Sequence, residues 1–142
     1  EIVSLSDYSG KLLIVDFCGS SYPPCRKAIP HLGSLLEKYK DMVLDIVGMH
    51  YENMEAEAAK KQINSFAVEF GITYKCLIGD EDTRSRVPEF GGYPTTLFLD
   101  RSGVVRLKVV GVQPIEQLEA FVETLLEESA EGTEKASAAE LP

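Results

Sequence analysis

The chain has 142 residues, 44% of them hydrophobic and 26% charged, with a formal net charge of −9. That length suits one domain burying roughly two-thirds of its unfolded surface, and the acidic balance argues against polyanionic partners, whether nucleic acid or an anionic membrane surface. No apolar run reaches the ~18 residues of a membrane-spanning helix. The first residue is Glu1 rather than Met, so we expect a processed or trimmed product from which any export signal or anchor is gone. Three cysteines are too few for a disulfide scaffold and lack zinc-ligand spacing.

Leu12–Cys18 (LLIVDFC) is a short, nearly continuous apolar run, as expected of a strand buried on both faces of a sheet. Residues 24–40 place Ile29, Leu32, Leu35, Leu36 and Tyr39 on one helical stripe, with Pro24 in a first turn where its missing N–H is no loss. Val43–Met49 reads as a second buried strand. Residues 55–70 read as an amphipathic helix through Ala56, Ala59, Ile63, Phe66, Ala67 and Phe70, stopped by Gly71. Tyr74–Ile78 is a third strand, and residues 82–90 hold an irregular helical turn.

Beyond that point the pattern changes. Thr95–Asp100 and Val104–Val110 are strands joined by the hairpin signal "DRSG". In the second, Val105, Leu107 and Val109 alternate with Arg106 and Lys108, which puts one wet face toward a sheet edge. A last helix spans 114–127 through Ile115, Leu118, Val122, Leu125 and Leu126. The order is β-α-β-α-β, then a β-hairpin, then α: an α/β domain with a parallel core, an antiparallel addition and helices on both faces. We set the domain at 1–128 and expect a flexible acidic tail at 129–142, which is small, charged and without periodicity.

The chemistry concentrates in "DFCGSSYPPCRK", residues 16–27. Together with "GKLLIVDF" before it and "GGYPTTLFLDRSG" some 65 residues on, this stretch resembles the thioredoxin superfamily over residues 5 to 127. The similarity is greatest to the extracytoplasmic TlpA-like and ResA-like thiol–disulfide oxidoreductases. In that branch the loop typically reads aromatic-Trp-small-small-Trp-Cys-Pro-Pro-Cys. Here Phe17, Pro23, Pro24 and Cys25 match, Cys18 and Ser21 replace the two tryptophans, and Tyr22 replaces the nucleophilic cysteine. A phenol with a pKa near 10 cannot stand in for a thiolate or form a disulfide.

The resemblance implies that Cys25 occupies the resolving position and that Pro94 is a cis-proline facing the loop, with Tyr93 and Thr95 flanking the surface where an extended partner segment would lie. It also implies that Asp16 exchanges a proton with the resolving thiol. Read from the residues, Cys25 is either a lone redox thiol or a buried structural cysteine, and Cys18 is either its partner in a displaced C-x6-C couple or a small filler. Asp16 is either a buried acid–base or a carboxylate reaching solvent. Glu52 falls near where ResA-like proteins carry an acidic residue, but a helix-start carboxylate is the reading we prefer. Cys76 reads as core, His31 as solvent-facing and His50 as a strand end, without the clustering of a metal site. Tyr22 and Tyr93 are expected to form an aromatic lip shielding a Cys25 thiol.

Two functions compete. One is a thiol–disulfide oxidoreductase with a degenerate site, weak or inactive in dithiol exchange, acting on protein thiols or disulfides outside the cytoplasm, periplasmic or membrane-tethered. The other is a redox-inert module binding an extended peptide beside Pro94, with Tyr93, Thr95, Pro23 and Pro24 in contact. Neither calls for a cofactor, a metal or nucleic acid. Peroxidase chemistry would need an exposed, activated thiol in a T-x-x-C arrangement, which this loop lacks.

Overall fold

The computed structural model describes residues 5–130. After a 3-10 helix at Leu5–Tyr8, strand β1 (Leu12–Cys18) is buried at all positions but Val15. It lies at the centre of a five-stranded sheet. Strand β2 (Leu44–His50) pairs parallel on one side, and β3 (Lys75–Ile78) pairs parallel to β2 at that edge. Strand β4 (Thr95–Leu99) pairs antiparallel on the other side of β1, and β5 (Val105–Val110) closes the opposite edge.

The two faces of β1 are covered differently because alternate side chains point opposite ways. Leu12 and Ile14 join Ile46 and Phe98 beneath α1 (Pro23–Tyr39) and α4 (Ile115–Ala130), meeting Leu32, Leu35, Leu118 and Val122. Each such aliphatic side chain contributes roughly 1.5–3 kcal/mol on burial. Leu13 and Phe17 face the other way with Val47, Leu97 and Leu99, covered by Tyr8, Val87 and Phe90 around the short α3 (Glu81–Ser85). Helix α2 (Ala56–Phe70) lies on the α1 side: its Phe66 ring meets His50 edge-on at 5.8 Å, and its Phe70 lies under the Arg26 guanidinium at 5.8 Å. Gly71 ends α2 in the left-handed region (φ +64), and its N–H and that of Ile72 take the last free carbonyls.

Two expectations shift. Helix α4 runs on to Ala130, past the helix end expected at 127, and residues 131–142 of the expected tail lie outside the described residues. In β5 the pairing slips between Phe98 and Leu99, so Leu107 faces Phe98 but Val105 faces Leu99. The extra residue, Arg106, bends out to Glu128 (2.6 Å) and Asp100 (3.5 Å). A β-bulge thus breaks the alternation that placed Val105 beside Leu107 and Val109, and leaves Val105 exposed.

Candidate functional site

The 19–25 loop follows directly from β1. Cys18 ends the strand, the Tyr22 N–H reaches the Gly19 carbonyl (3.2 Å), and the Cys25 N–H reaches the Tyr22 carbonyl (2.9 Å) as α1 begins at Pro23. This turn brings Cys18 and Cys25 within 5.7 Å between Cα atoms, and the two are disulfide-bonded. That distance falls in the range a bridge requires. Of the readings left open for Cys18, the small filler is set aside, and Cys25 is no lone thiol. Both residues are shut off from water, at 1% and 0% exposed. The buried Gly19 N–H points at Cys25 Sγ (3.4 Å). Gly19 has no room for a side chain: a Cβ there would come within 2.7 Å of the Tyr22 ring.

Above the loop lies an aromatic surface. The Tyr22 ring, 39% exposed, stacks on Tyr93 with centroids 4.9 Å apart, and Tyr93 stacks on Tyr51 at 5.8 Å. Arg84 lies over the Tyr51 ring (5.0 Å), donates to the Tyr93 hydroxyl (2.5 Å) and pairs with Glu81. The expected pair of rings is therefore present, but a disulfide rather than a titrating thiol belongs to this loop. The Tyr93–Pro94 peptide is cis. Pro23 and Pro24 are exposed, whereas Pro94 and Thr95 are fully buried. Thr95 turns inward and donates to the Gly92 carbonyl (2.5 Å), so its side chain does not flank an open surface as expected.

Beneath the loop is a polar network that the sequence hides. Ser20, buried, uses every polar group it has. Its N–H donates to Glu52 Oε2 (2.9 Å) and its hydroxyl to Glu52 Oε1 (2.7 Å). Gln62 donates to the Ser20 hydroxyl (3.1 Å), and Arg26 Nε donates to the Ser20 carbonyl (3.0 Å). Glu52 is no helix-start carboxylate, because α2 begins four residues later and the Glu52 side chain is 3% exposed. His50 Nδ1 lies 3.6 Å from Glu52 Oε2, beyond hydrogen-bond reach, and burial pushes His50 below its usual pKa against the pull of Glu52. The signal in the sequence was the short spacing "HYE" after a buried strand, which marks a carboxylate at the sheet end without saying which way it points.

Asp16 shares the α1 face of β1 with Cys18 and does not reach solvent, being 2% exposed. Desolvation raises its carboxyl to about 7, slightly offset by the hydrogen bond that the Thr96 hydroxyl donates (3.2 Å). Cys76, on β3, is a free, half-buried thiol pushed up to about 11 by burial and then by Asp16. His31 is half-buried, with Nδ1 shut away from water and unpaired, rather than solvent-facing. Among the described residues no group of three or more His, Cys, Asp or Glu side chains is placed to hold a metal ion.

The model of the AhpC/TSA family matches residues 1–108. The thiol-disulfide oxidoreductase ResA of Geobacillus kaustophilus is 28% identical over 121 residues, 85% of this chain and 67% of its own length. The thioredoxin-like protein YneN of Bacillus subtilis is 30% identical over 119 residues, 84% of this chain and 68% of its own. Among solved structures, the thioredoxin domain of a thiol-disulfide oxidoreductase from Bacteroides vulgatus superposes with a TM-score of 0.70 at 27% identity, covering 87% of this chain and 85% of that one.

Proposed function

Because the chain belongs to the AhpC/TSA family and resembles its thioredoxin-like thiol–disulfide oxidoreductases, we propose that it exchanges disulfides with protein thiols slowly, through Cys18–Cys25. The carrying observation is that bridge, formed in the loop where Tyr22 has replaced the nucleophilic cysteine. A partner thiolate attacks one sulfur, the S–S bond breaks, and the other cysteine leaves as a thiolate and takes up a proton. A second partner thiol then attacks the mixed disulfide, so the partner ends as a disulfide and the protein as two thiols. The Gly19 N–H aimed at Cys25 Sγ favours Cys25 as the leaving thiolate and Cys18 as the sulfur attacked. Asp16, holding a proton near neutral pH on the same strand face, is the candidate proton donor. Pro94 and Tyr93 border the loop and Tyr22 gates it.

Slowness follows from burial, since attack needs an exposed sulfur and both are shielded. The same burial supports a second reading: the bridge is structural, and the Tyr22–Tyr93–Tyr51 surface with exposed Pro23 and Pro24 contacts an extended peptide. The reading also carries a location outside the cytoplasm, periplasmic or membrane-tethered, where such a bridge stays closed.

Thiol counting and an insulin-type reduction assay, which reads the same exchange run in reverse from the reduced protein, test it. The oxidised protein should show one reactive thiol in denaturant, Cys76, and three after reduction. Tyr22→Cys should accelerate turnover by roughly tenfold or more, since it supplies the missing thiolate. Fast turnover by the unmodified chain that survives Cys25→Ser would sink the proposal. No turnover at all, with the bridge intact, would select the binding module.

A further inference from the structure

We infer that Glu52 is the positioning residue that holds the Cys18–Cys25 loop closed, acting through Ser20. The inference rests on the redox reading of that bridge and deepens it. A seven-residue separation between bridging cysteines leaves the intervening chain many conformations, and something has to select the one that brings the sulfurs together. The loop's own hydrogen bonds are few: the Gly19 N–H to Cys25 Sγ, the Tyr22 N–H to the Gly19 carbonyl and the Cys25 N–H to the Tyr22 carbonyl, none of which engages a polar group of Ser20. Ser20, in its first half, is fixed from outside.

Ser20 is the point of fixation. Both Glu52 oxygens take hydrogen bonds from it, one from the main chain and one from the side chain, so its position and its orientation are set together. Gln62 of α2 and Arg26 of α1 complete the hold on the hydroxyl and the carbonyl. Glu52 is itself fixed to the sheet, because the neighbouring Tyr51 N–H donates to the Cys18 carbonyl (2.8 Å). One end of the clamp therefore grips the strand end that carries Cys18, and the other grips the loop leading to Cys25. His50 lies 3.6 Å away without a hydrogen bond, so the carboxylate is held by Ser20 rather than by an imidazole. Glu52 touches neither sulfur. It acts by raising the effective concentration of one thiol at the other.

The experiment is the equilibrium of the folded protein with reduced and oxidised glutathione, quenched and counted, which yields the effective concentration of the thiol pair. Glu52→Ala should lower it roughly tenfold or more, the scale of two lost hydrogen bonds. Ser20→Ala, which removes the hydroxyl's contacts with Glu52 and Gln62 but keeps the main-chain bond to Glu52, should lower it by about threefold. Glu52→Gln keeps an oxygen for the Ser20 N–H and should hold within about threefold of the unmodified protein. Leu125→Ala, a core truncation in α4, should loosen the fold without moving the equilibrium. An unchanged value in both Glu52→Ala and Ser20→Ala overturns the inference, as does a Leu125→Ala loss equal to that of Glu52→Ala. If the unmodified protein forms no bridge, the redox reading itself has failed. If it bridges with equal strength in every variant, only the role of Glu52 has failed.

Discussion

Asp16 stands between Ile14 and Cys18 on the strand face that α1 covers, and among the described residues no cation is paired with it. Thr96 supplies its hydrogen bond, so desolvation dominates and the carboxyl titrates near 7 instead of 3.8. The consequence for stability has a definite sign. Below about pH 4 folded and unfolded chains both hold the proton, and above about pH 7 both have lost it; between these limits only the folded chain keeps it, so stability falls as pH rises. The shift corresponds to about 4 kcal/mol across that window. Asp16→Asn keeps a partner for Thr96 and removes the charge. Urea unfolding should therefore show Asp16→Asn more stable than the unmodified protein at about pH 8, with the gap closing toward about pH 4. A gap that stays constant with pH would mean that Asp16 titrates normally. Cys76, held above its ordinary pKa by the same surroundings, should remain a slow thiol throughout neutral pH.

At the scale of elements, two glycines separate local conformation from packing. Gly33 lies inside α1 and Gly71 just past α2, and at neither would an added Cβ meet another atom within 4 Å. Only Gly71 has a positive φ, +64. Gly33→Ala should stabilise by about 0.5–1 kcal/mol, whereas Gly71→Ala should destabilise by about 1 kcal/mol; thermal unfolding reads both. Equal effects would mean the helix end does not need its left-handed cap. The strands and helices were legible because burial imposes a period, and Leu12–Cys18 even has the limits expected of it. The bulge at Arg106 was not, since the partners its side chain meets there include Glu128, 22 residues away. The site divides the same way. Cys25, Tyr22 and Pro94 could be placed by motif, but the hold of Glu52 on Ser20 spans 32 residues and lies in a segment without periodicity. Whether Cys18 meets Cys25 depends on the path of the loop between them, which the loop sequence alone left open.

For the whole molecule, the bridge ties the central strand to α1, and its redox state should be felt by the entire fold. Closing so short a loop in the unfolded chain removes limited entropy, about 2.5 kcal/mol on the chain-entropy estimate for roughly eight residues. Reduction should accordingly lower the thermal midpoint by about 10 °C for a domain of this size. Linkage makes the relation reciprocal: the factor by which the bridge stabilises the fold equals the factor by which folding favours the bridge. A residue that helps folding bring the two cysteines together must then share in that gap. Glu52→Ala should thus narrow the difference between the oxidised and reduced midpoints, not merely lower both. The check is two melting curves for each protein, with and without reductant. Parallel downward shifts in both states would show Glu52 supporting the fold without acting on the bridge, while a narrowed gap ties the buried carboxylate to the disulfide through the stability of the whole chain.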